Sequence, residues 1–307
     1  MRIIVRTIYG SALQTARCLG ISHVIPPYAS LNETLSDPLV VPHQPSNALQ
    51  NAGMEVVDAY DFSLDTELLN QKYFCIGNNG HQPVTGSGGV TYMAPVPHKA
   101  SDSGLYHLIP FLVQPYAQDV SAGFLPNRAK YRLRKTLMIN GDLYVAYFAR
   151  LIDLSSTVVD TSFEVVTGGE TTTVPFTPNQ LNLRPEKPPV NSVNDGSYLA
   201  ASAGVEVLLD ATETQALRDA CQLMYGDANL AIISEIGLVS GADKPATHRY
   251  SIDAASQPAL TPDTYYEIVG AQVTTHISTY YSAVSSTTIN FTLDLGATEP
   301  LFGTTMA

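Results

Sequence analysis

The strongest constraint on the fold is the Asn140-Gly141 pair, which separates two arms rich in β-branched and aromatic residues. Both residues tolerate the positive φ angles of a type I′ turn, so the pair predicts a β-hairpin. The hairpin spans residues 131–153, and its outgoing arm is apolar on both faces. A strand of this kind is covered on two sides, so we expect the rest of the chain to be organised around it.

The incoming arm carries a cluster of basic residues. On a β-strand, such a cluster is typical of a face exposed to solvent. The alternative is a basic patch that docks onto an acidic neighbour. The cluster holds five of the 16 Lys and Arg residues, namely Arg128, Lys130, Arg132, Arg134 and Lys135.

The composition points towards contact with other proteins. The 307 residues carry a formal net charge of −12, so a protein that binds phosphates without sequence preference is not expected. Charged residues are 14% of the chain, against roughly 25% in an ordinary soluble domain. Charge is depleted at the cores of interfaces, and tyrosine, present 17 times, suits contact surfaces. A fold rich in β-strands is the simpler explanation of the tyrosines.

Local signals predict two helices and a second hairpin. Asp210 and Glu213 have capping-box spacing, which predicts a helix over 211–225 that ends at Gly226. A shorter helix is predicted over 12–19, capped by Ser11. Gly168-Gly169 lies between two β-branched stretches and predicts a hairpin whose second strand is at a sheet edge.

These signals predict a mainly β fold of the α+β type, with antiparallel sandwich or barrel-like sheets, one or two short helices and long Pro-rich arms. The prolines of residues 22–55 predict an extended arm that crosses another surface. Residues 1–176 are predicted to form a β-rich domain, 177–197 a linker or crossover, and 198–307 an α+β domain. The sequence leaves open whether the two halves share one core.

No motif predicts chemistry, so we predict no catalytic, cofactor-binding or metal-binding residue, no cofactor and no enzymatic activity. The glycine-rich stretch 77–89 lacks the Gly-Lys-Ser/Thr ending of a phosphate loop and predicts two tight turns instead. No histidine has zinc-site spacing, and each is interpreted as a lone surface or satisfied core residue. Cys18, Cys75 and Cys221 are interpreted as buried thiols. The histidines are His23, His43, His81, His98, His107, His248 and His276.

Seven short phrases stand out in the sequence. They are Ile3-Ile-Val-Arg6, Tyr9-Gly-Ser11, Cys75-Ile-Gly-Asn-Asn-Gly-His81, Pro97-His-Lys-Ala100, Tyr131-Arg-Leu-Arg-Lys135, Ile233-Ser-Glu-Ile-Gly-Leu-Val-Ser-Gly241 and Gly296-Ala-Thr-Glu-Pro-Leu-Phe302. Together they resemble virion structural proteins of large contractile-tailed bacteriophages. The resemblance implies a β-rich, non-enzymatic subunit that forms an oligomeric ring in the neck (the collar or head–tail connection), the tail or the baseplate.

The partners expected from this resemblance are copies of the chain itself and other virion proteins, with the particle assembled in the host cytoplasm. An acidic surface would also let DNA slide through a channel without sticking, which is a hypothesis. No membrane partner is expected, because no run of 18 apolar residues exists. The alternatives are a receptor- or carbohydrate-binding tail module and a cell-wall-degrading enzyme of the same particle.

Overall fold

The structure is a computed structural model that describes residues 3–25, 29–31, 60–61, 69–124, 129–176, 196–248, 263–283 and 288–300. Most of these residues lie in antiparallel β-strands, with three α-helices among them, so the predicted mainly β, α+β fold is confirmed. Apart from residues 22–25 and 29–31, the predicted Pro-rich arm over residues 22–55 lies outside the described residues. The same is true of most of the 177–197 segment.

The largest sheet has eight strands, drawn from both ends of the chain. Its strand order is β1-β15-β14-β4-β10-β8, with β7 paired to β4 and β9 paired to β10. Among the described strands this order does not close, so they do not form the barrel-like alternative. The strands are β1 (Ile3–Arg6), β4 (Asn70–Gly77), β7 (Leu108–Ile109), β8 (Leu112–Pro115), β9 (Tyr131–Ile139), β10 (Asp142–Leu151), β14 (Ile232–His248) and β15 (Asp263–Ser282).

The central hairpin forms as predicted. Asn140 and Gly141 adopt φ angles of 54° and 91°, and Ile139 pairs directly with Asp142 across the two-residue turn. Residues 145–150 of β10 are all buried, which confirms that the strand is covered on both faces. In β9, Leu133 has a φ of 49°, a left-handed conformation that interrupts the regular alternation of side chains. Tyr131, Arg132 and Leu133 are consequently buried in succession.

Three helices lie among the described residues: α1 (Ile8–Leu19), α2 (Tyr116–Asp119) and α3 (Ala211–Tyr225). The capping box predicted for α3 is present, and Gly226 ends that helix in the left-handed conformation. The predicted cap of the first helix was wrong. Thr7 caps α1, because its hydroxyl accepts a hydrogen bond from the N–H of Gly10 (3.0 Å) and donates one to the carbonyl of Val273 (2.7 Å). None of the described helices combines the length and apolarity that a bilayer crossing demands.

Two further two-stranded ladders are present. The β5–β6 hairpin follows the first of the two glycine turns that the sequence predicts within residues 77–89. The short β2–β3 ladder joins Val24 to Asp61 and Ile25 to Tyr60. These strands are β2 (Val24–Ile25), β3 (Tyr60–Asp61), β5 (His81–Thr85) and β6 (Thr91–Pro95).

A four-stranded sheet has the order β12-β11-β13-β16. The Gly168-Gly169 hairpin forms as predicted, with φ angles of 60° and 85°, and its second strand is at the sheet edge. The strands are β11 (Asp160–Thr167), β12 (Glu170–Pro175), β13 (Gly196–Leu209) and β16 (Ile289–Pro300).

The chain divides into two compact units. Unit 1 holds residues 1–152 and 209–289, and unit 2 holds residues 153–208 and 290–307. Both halves of the chain therefore contribute to unit 1, because β14 and β15 pair with strands from the first half.

The prediction of a solvent-exposed basic face is wrong for Arg132 and Arg134, and Arg128 lies outside the described residues. Arg132 is 3% exposed and donates from Nε and Nη2 to the carboxylate of Asp243 at 2.8 and 3.3 Å. The side chain of Arg134 is 4% exposed and donates to Asp119 Oδ2 at 3.0 and 2.6 Å. Lys130 pairs with Glu213 at 2.5 Å. These three side chains have acidic partners within their own chain. They are therefore not available to the alternative, a basic patch that docks onto an acidic neighbouring protein.

Candidate functional site: a buried carboxylate–histidine cluster

The titratable side chains that come together in the core centre on Glu235 of β14. Its carboxylate is fully buried and accepts hydrogen bonds from one side chain and three backbone N–H groups. The donors are His98 Nε2 at 2.8 Å, Tyr106 N at 2.7 Å, His107 N at 2.9 Å and Asn79 N at 3.3 Å. A buried carboxylate is stable only when its oxygens are satisfied in this way.

His98 lies between two carboxylates. Its Nε2 contacts Glu235, and its Nδ1 contacts Asp102 Oδ2 at 3.3 Å. Its ring is stacked between those of Tyr106 and His276, at centroid distances of 4.2 and 3.9 Å. An imidazole with an acceptor at each nitrogen is bonded best as the doubly protonated cation.

The charges around each histidine set its protonation state. Burial alone lowers the pKa of His98, but the hydrogen bonds and negative charges of Asp102 and Glu235 outweigh burial and raise that pKa overall. Burial and the neighbouring positive charge on His98 lower the pKa of His276 to about 3. Burial raises the pKa of Asp102, but its hydrogen bonds to His98 and the N–H of Lys99 lower it overall. These shifts favour the cation at His98 and the neutral ring at His276.

The cluster joins four parts of unit 1 that are far apart in sequence. Glu235 lies in β14 and His276 in β15, whereas Asn79 belongs to the turn after β4 and His98 to the segment between β6 and β7. His276 Nε2 is 3.1 Å from the carbonyl oxygen of Asp102 and so donates to it in the neutral ring. The hydrogen bonds of Glu235 and His276 therefore tie these loops to two strands of the large sheet.

Two glycines make room for the carboxylate. A Cβ at Gly77 would overlap Glu235 Oε1 and lie 2.6 Å from the carbonyl oxygen of His107. A Cβ at Gly80 would lie 2.9 Å from the Cβ of Glu235. Distances under 3.0 Å are not tolerated between such atoms, so close backbone approach explains both glycines. The N–H of Gly80 also donates to Ser234 Oγ at 2.9 Å.

The accessibility of the cluster decides what it can do. The side chains of His98, Asp102 and Glu235 are between 0 and 2% exposed. Both nitrogens of His98 already face carboxylates, so neither offers a lone pair to a metal ion. Within the described residues, no group of three or more His, Cys, Asp or Glu side chains is arranged to hold a metal. The cluster can hold charge inside the fold and fix loops, which is a structural role.

The sequence interpretation missed this cluster. His98 and His107 lie close together in the sequence, but Glu235 and His276 lie far from them in the chain. Glu235 is 137 residues from His98, and no short-range pattern distinguishes it from a surface glutamate. One signal was available: three of the phrases that carry the phage resemblance meet here, namely 75–81, 97–100 and 233–241.

The predictions for the other histidines and for the cysteines concern their burial. His23 is buried with Gln272 at 3.0 Å, as expected of a satisfied core residue. Cys75 and Cys221 are buried, and burial raises the pKa of the Cys221 thiol to about 12. Cys18 is exposed, so the expectation that it is buried was wrong. His43 and the side chain of His248 lie outside the described residues.

A family model matches residues 56–307, which is most of the chain. The chain belongs to the family of unknown function DUF7208. Comparisons with curated proteins and with solved structures gave no significant match. The matched residues include the whole buried cluster and both hairpins, whereas β1 and α1 lie before the match.

Proposed function

We propose that this chain is a non-enzymatic structural subunit of a tailed-phage virion that assembles as an oligomeric ring in the neck, tail or baseplate. The assignment to a phage particle rests on the sequence resemblance. Support for an assembly role comes from apolar side chains that the fold leaves on its surface.

The observation that carries the proposal is the grouping of these exposed side chains. Single exposed apolar residues are normal, but contiguous ones mark contact surfaces. Here 12 of the 17 large apolar side chains that are exposed among the described residues fall in three stretches of the sequence. The stretches hold Ile4, Ile8, Leu19, Ile21 and Val24; Val90, Tyr92 and Met93 on the β5–β6 hairpin; and Val158, Val159, Val174 and Phe176 around the β11–β12 hairpin.

Helix α1 shows the pattern most clearly because it is apolar on two faces. Tyr9, Leu13 and Ala16 are buried in the fold. Ile8, Ala12 and Leu19 recur at helical spacing on an adjacent face and are exposed. A helix on the surface of a monomer normally has one apolar stripe, so a second stripe favours a partner on that side.

Two measurements test the proposal. Sedimentation velocity of the purified full chain is expected to show a mass that rises above the 33.0 kDa of one copy as concentration increases. Mass spectrometry of purified particles, produced from a phage genome that encodes the chain, is expected to find it in the virion. A chain that stays monomeric at every concentration and is absent from the particles would overturn the proposal.

A further inference from the structure

Strand β12 is an edge strand that is exposed along its full length. It is the outermost strand of the four-stranded sheet, and all six of its residues are exposed. Within the described part of the chain, no strand pairs with its outer side. An open edge of this kind is a template for another strand.

The hairpin register shows which backbone groups face outward. The N–H of Phe176 donates to the carbonyl of Thr161 at 3.1 Å, so these two residues form a hydrogen-bonded pair. Such pairs alternate along an antiparallel ladder, so Val174, Thr172 and Glu170 also bond inward to β11. The N–H and C=O groups of Thr171 and Thr173 therefore point away from the sheet.

The middle of β12 lacks the devices that usually block edge pairing. Proteins protect open edges with charged residues, prolines or bulges. Here Glu170 and Pro175 stand only at the two ends, and Thr171 to Val174 carry no charge. The register with β11 runs without a shift. Since the sequence leaves the centre of this edge open, strand pairing is favoured there.

We propose that β12 joins two copies of this chain by antiparallel edge-to-edge pairing, with Thr171 of one copy opposite Thr173 of the other. This inference rests on the proposed function as an assembly subunit, and it names one interface of the assembly. A two-fold axis that passes between the two Thr172 residues relates the two copies, as expected of a contact between identical surfaces.

The register follows from the outward groups. Placing Thr171 opposite Thr173 forms two hydrogen-bonded pairs across the axis. Centring the pairing on Thr171 would leave Thr173 opposite the Gly169 turn, whereas centring it on Thr173 would place Thr171 opposite Pro175, which has no N–H. The proposed register also sets Glu170 opposite Val174 instead of opposite another glutamate.

Disulfide trapping tests this register. Across the axis, Thr172 faces its own copy as a non-hydrogen-bonded pair, with a Cα–Cα distance of about 4.5 Å that a disulfide can span. Two copies of Val174 would lie four residue steps apart, roughly 14 Å, which a disulfide cannot span. The variants are therefore Thr172→Cys and, as the matched control, Val174→Cys. Both carry Cys18→Ser to remove the exposed native thiol.

The Thr172→Cys variant is expected to form a disulfide-linked dimer on non-reducing gels. The Val174→Cys variant is expected to form none. A second pair of variants acts on the backbone. Thr171→Pro with Thr173→Pro removes only outward N–H groups and is expected to weaken self-association. Thr171→Val with Thr173→Val keeps those groups and is expected to preserve it.

Two outcomes would overturn the inference, and they differ in what else they affect. If the wild-type chain oligomerises but the Thr172→Cys variant gives no more crosslink than the control, the copies join elsewhere. The proposed function survives that result. If the wild-type chain is a monomer at every concentration, the inference fails, and the proposed function fails with it when the chain is also absent from purified particles.

Discussion

Replacing Glu235 with glutamine keeps the size of the side chain and removes its charge. Each carboxylate oxygen now faces two donors: Oε1 faces the N–H groups of Asn79 and His107, and Oε2 faces His98 Nε2 and the N–H of Tyr106. A glutamine has one acceptor oxygen, so its NH₂ group must face one of these donor pairs. Either orientation loses two hydrogen bonds to a charged acceptor. With the NH₂ group towards Asn79 and His107, two backbone N–H groups are left unpaired; with it towards His98 and Tyr106, the N–H of Tyr106 is left unpaired and the His98 bond becomes a neutral one in which Nε2 accepts.

The expected cost follows from those two bonds. A hydrogen bond to a charged group contributes about 1.5–3 kcal/mol, so two of them give about 3–6 kcal/mol. Removing one partner of a buried ion pair costs about 3–5 kcal/mol, in agreement. For a unit of about 200 residues, each kcal/mol lowers the melting temperature by about 2–4 °C. The Glu235→Gln variant is thus expected to melt roughly 6–20 °C below the wild type.

The assay is thermal unfolding followed by near-ultraviolet circular dichroism, which reports on the packed core. The matched control is Glu206→Gln, since Glu206 is exposed on β13 and its substitution is expected to change stability by no more than about 0.5 kcal/mol. A Glu235→Gln variant that melts with the wild type would show that the buried charge contributes nothing to the fold. The structural role assigned to the cluster would then be refuted.

Three further perturbations act on the same core. Because the folded pKa of His98 is raised above its ordinary 6.5, its contribution is complete below that pH and is lost as pH rises through the folded pKa. Denaturant midpoints are therefore expected to fall on the alkaline side in the wild type, and this fall is expected to be smaller in a His98→Asn variant. Gly77→Ala should destabilise unit 1, because the added Cβ would overlap the buried carboxylate. Gly88→Ala should not, because a Cβ there has no other atom within 4 Å. Equal melting temperatures of the two variants would contradict this prediction. Asp119→Ala should cost about 3–5 kcal/mol in chemical denaturation because it removes the carboxylate that pairs with the buried Arg134, and a wild-type midpoint would count against that pair.

Local chemistry made part of the fold predictable. The Asn140-Gly141 turn and the capping box of Asp210 and Glu213 depend on residues within a few positions of one another, and both form as predicted. Glycines that tolerate positive φ fix such turns whatever surrounds them. The cap of α1 was missed because the hydroxyl of Thr7 is held in place by a hydrogen bond to the carbonyl of Val273, 266 residues away.

Long-range pairing explains what the sequence could not reveal. Arg132 sits in a run of basic residues that is typical of an exposed strand, yet its partner Asp243 lies 111 residues further on. The same holds for Glu235, which became recognisable only when β4, β14 and β15 were placed side by side. A charge is buried only where a distant partner satisfies it, and one sequence does not show which distant residues meet.

The internal pairing of the basic residues changes how the net charge should be interpreted. Lys72, Lys130, Arg132, Arg134 and Arg150 form ion pairs with the carboxylates of Asp119, Glu213 and Asp243. These basic groups are engaged within the chain, whose formal net charge is −12. Its surface is also poorer in basic groups than the composition indicates. Copies that meet through acidic surfaces would repel one another, so their contacts should use uncharged stretches. The centre of β12 and the outer stripe of α1 are stretches of this kind, and high salt should therefore strengthen self-association by screening the surrounding acidic groups.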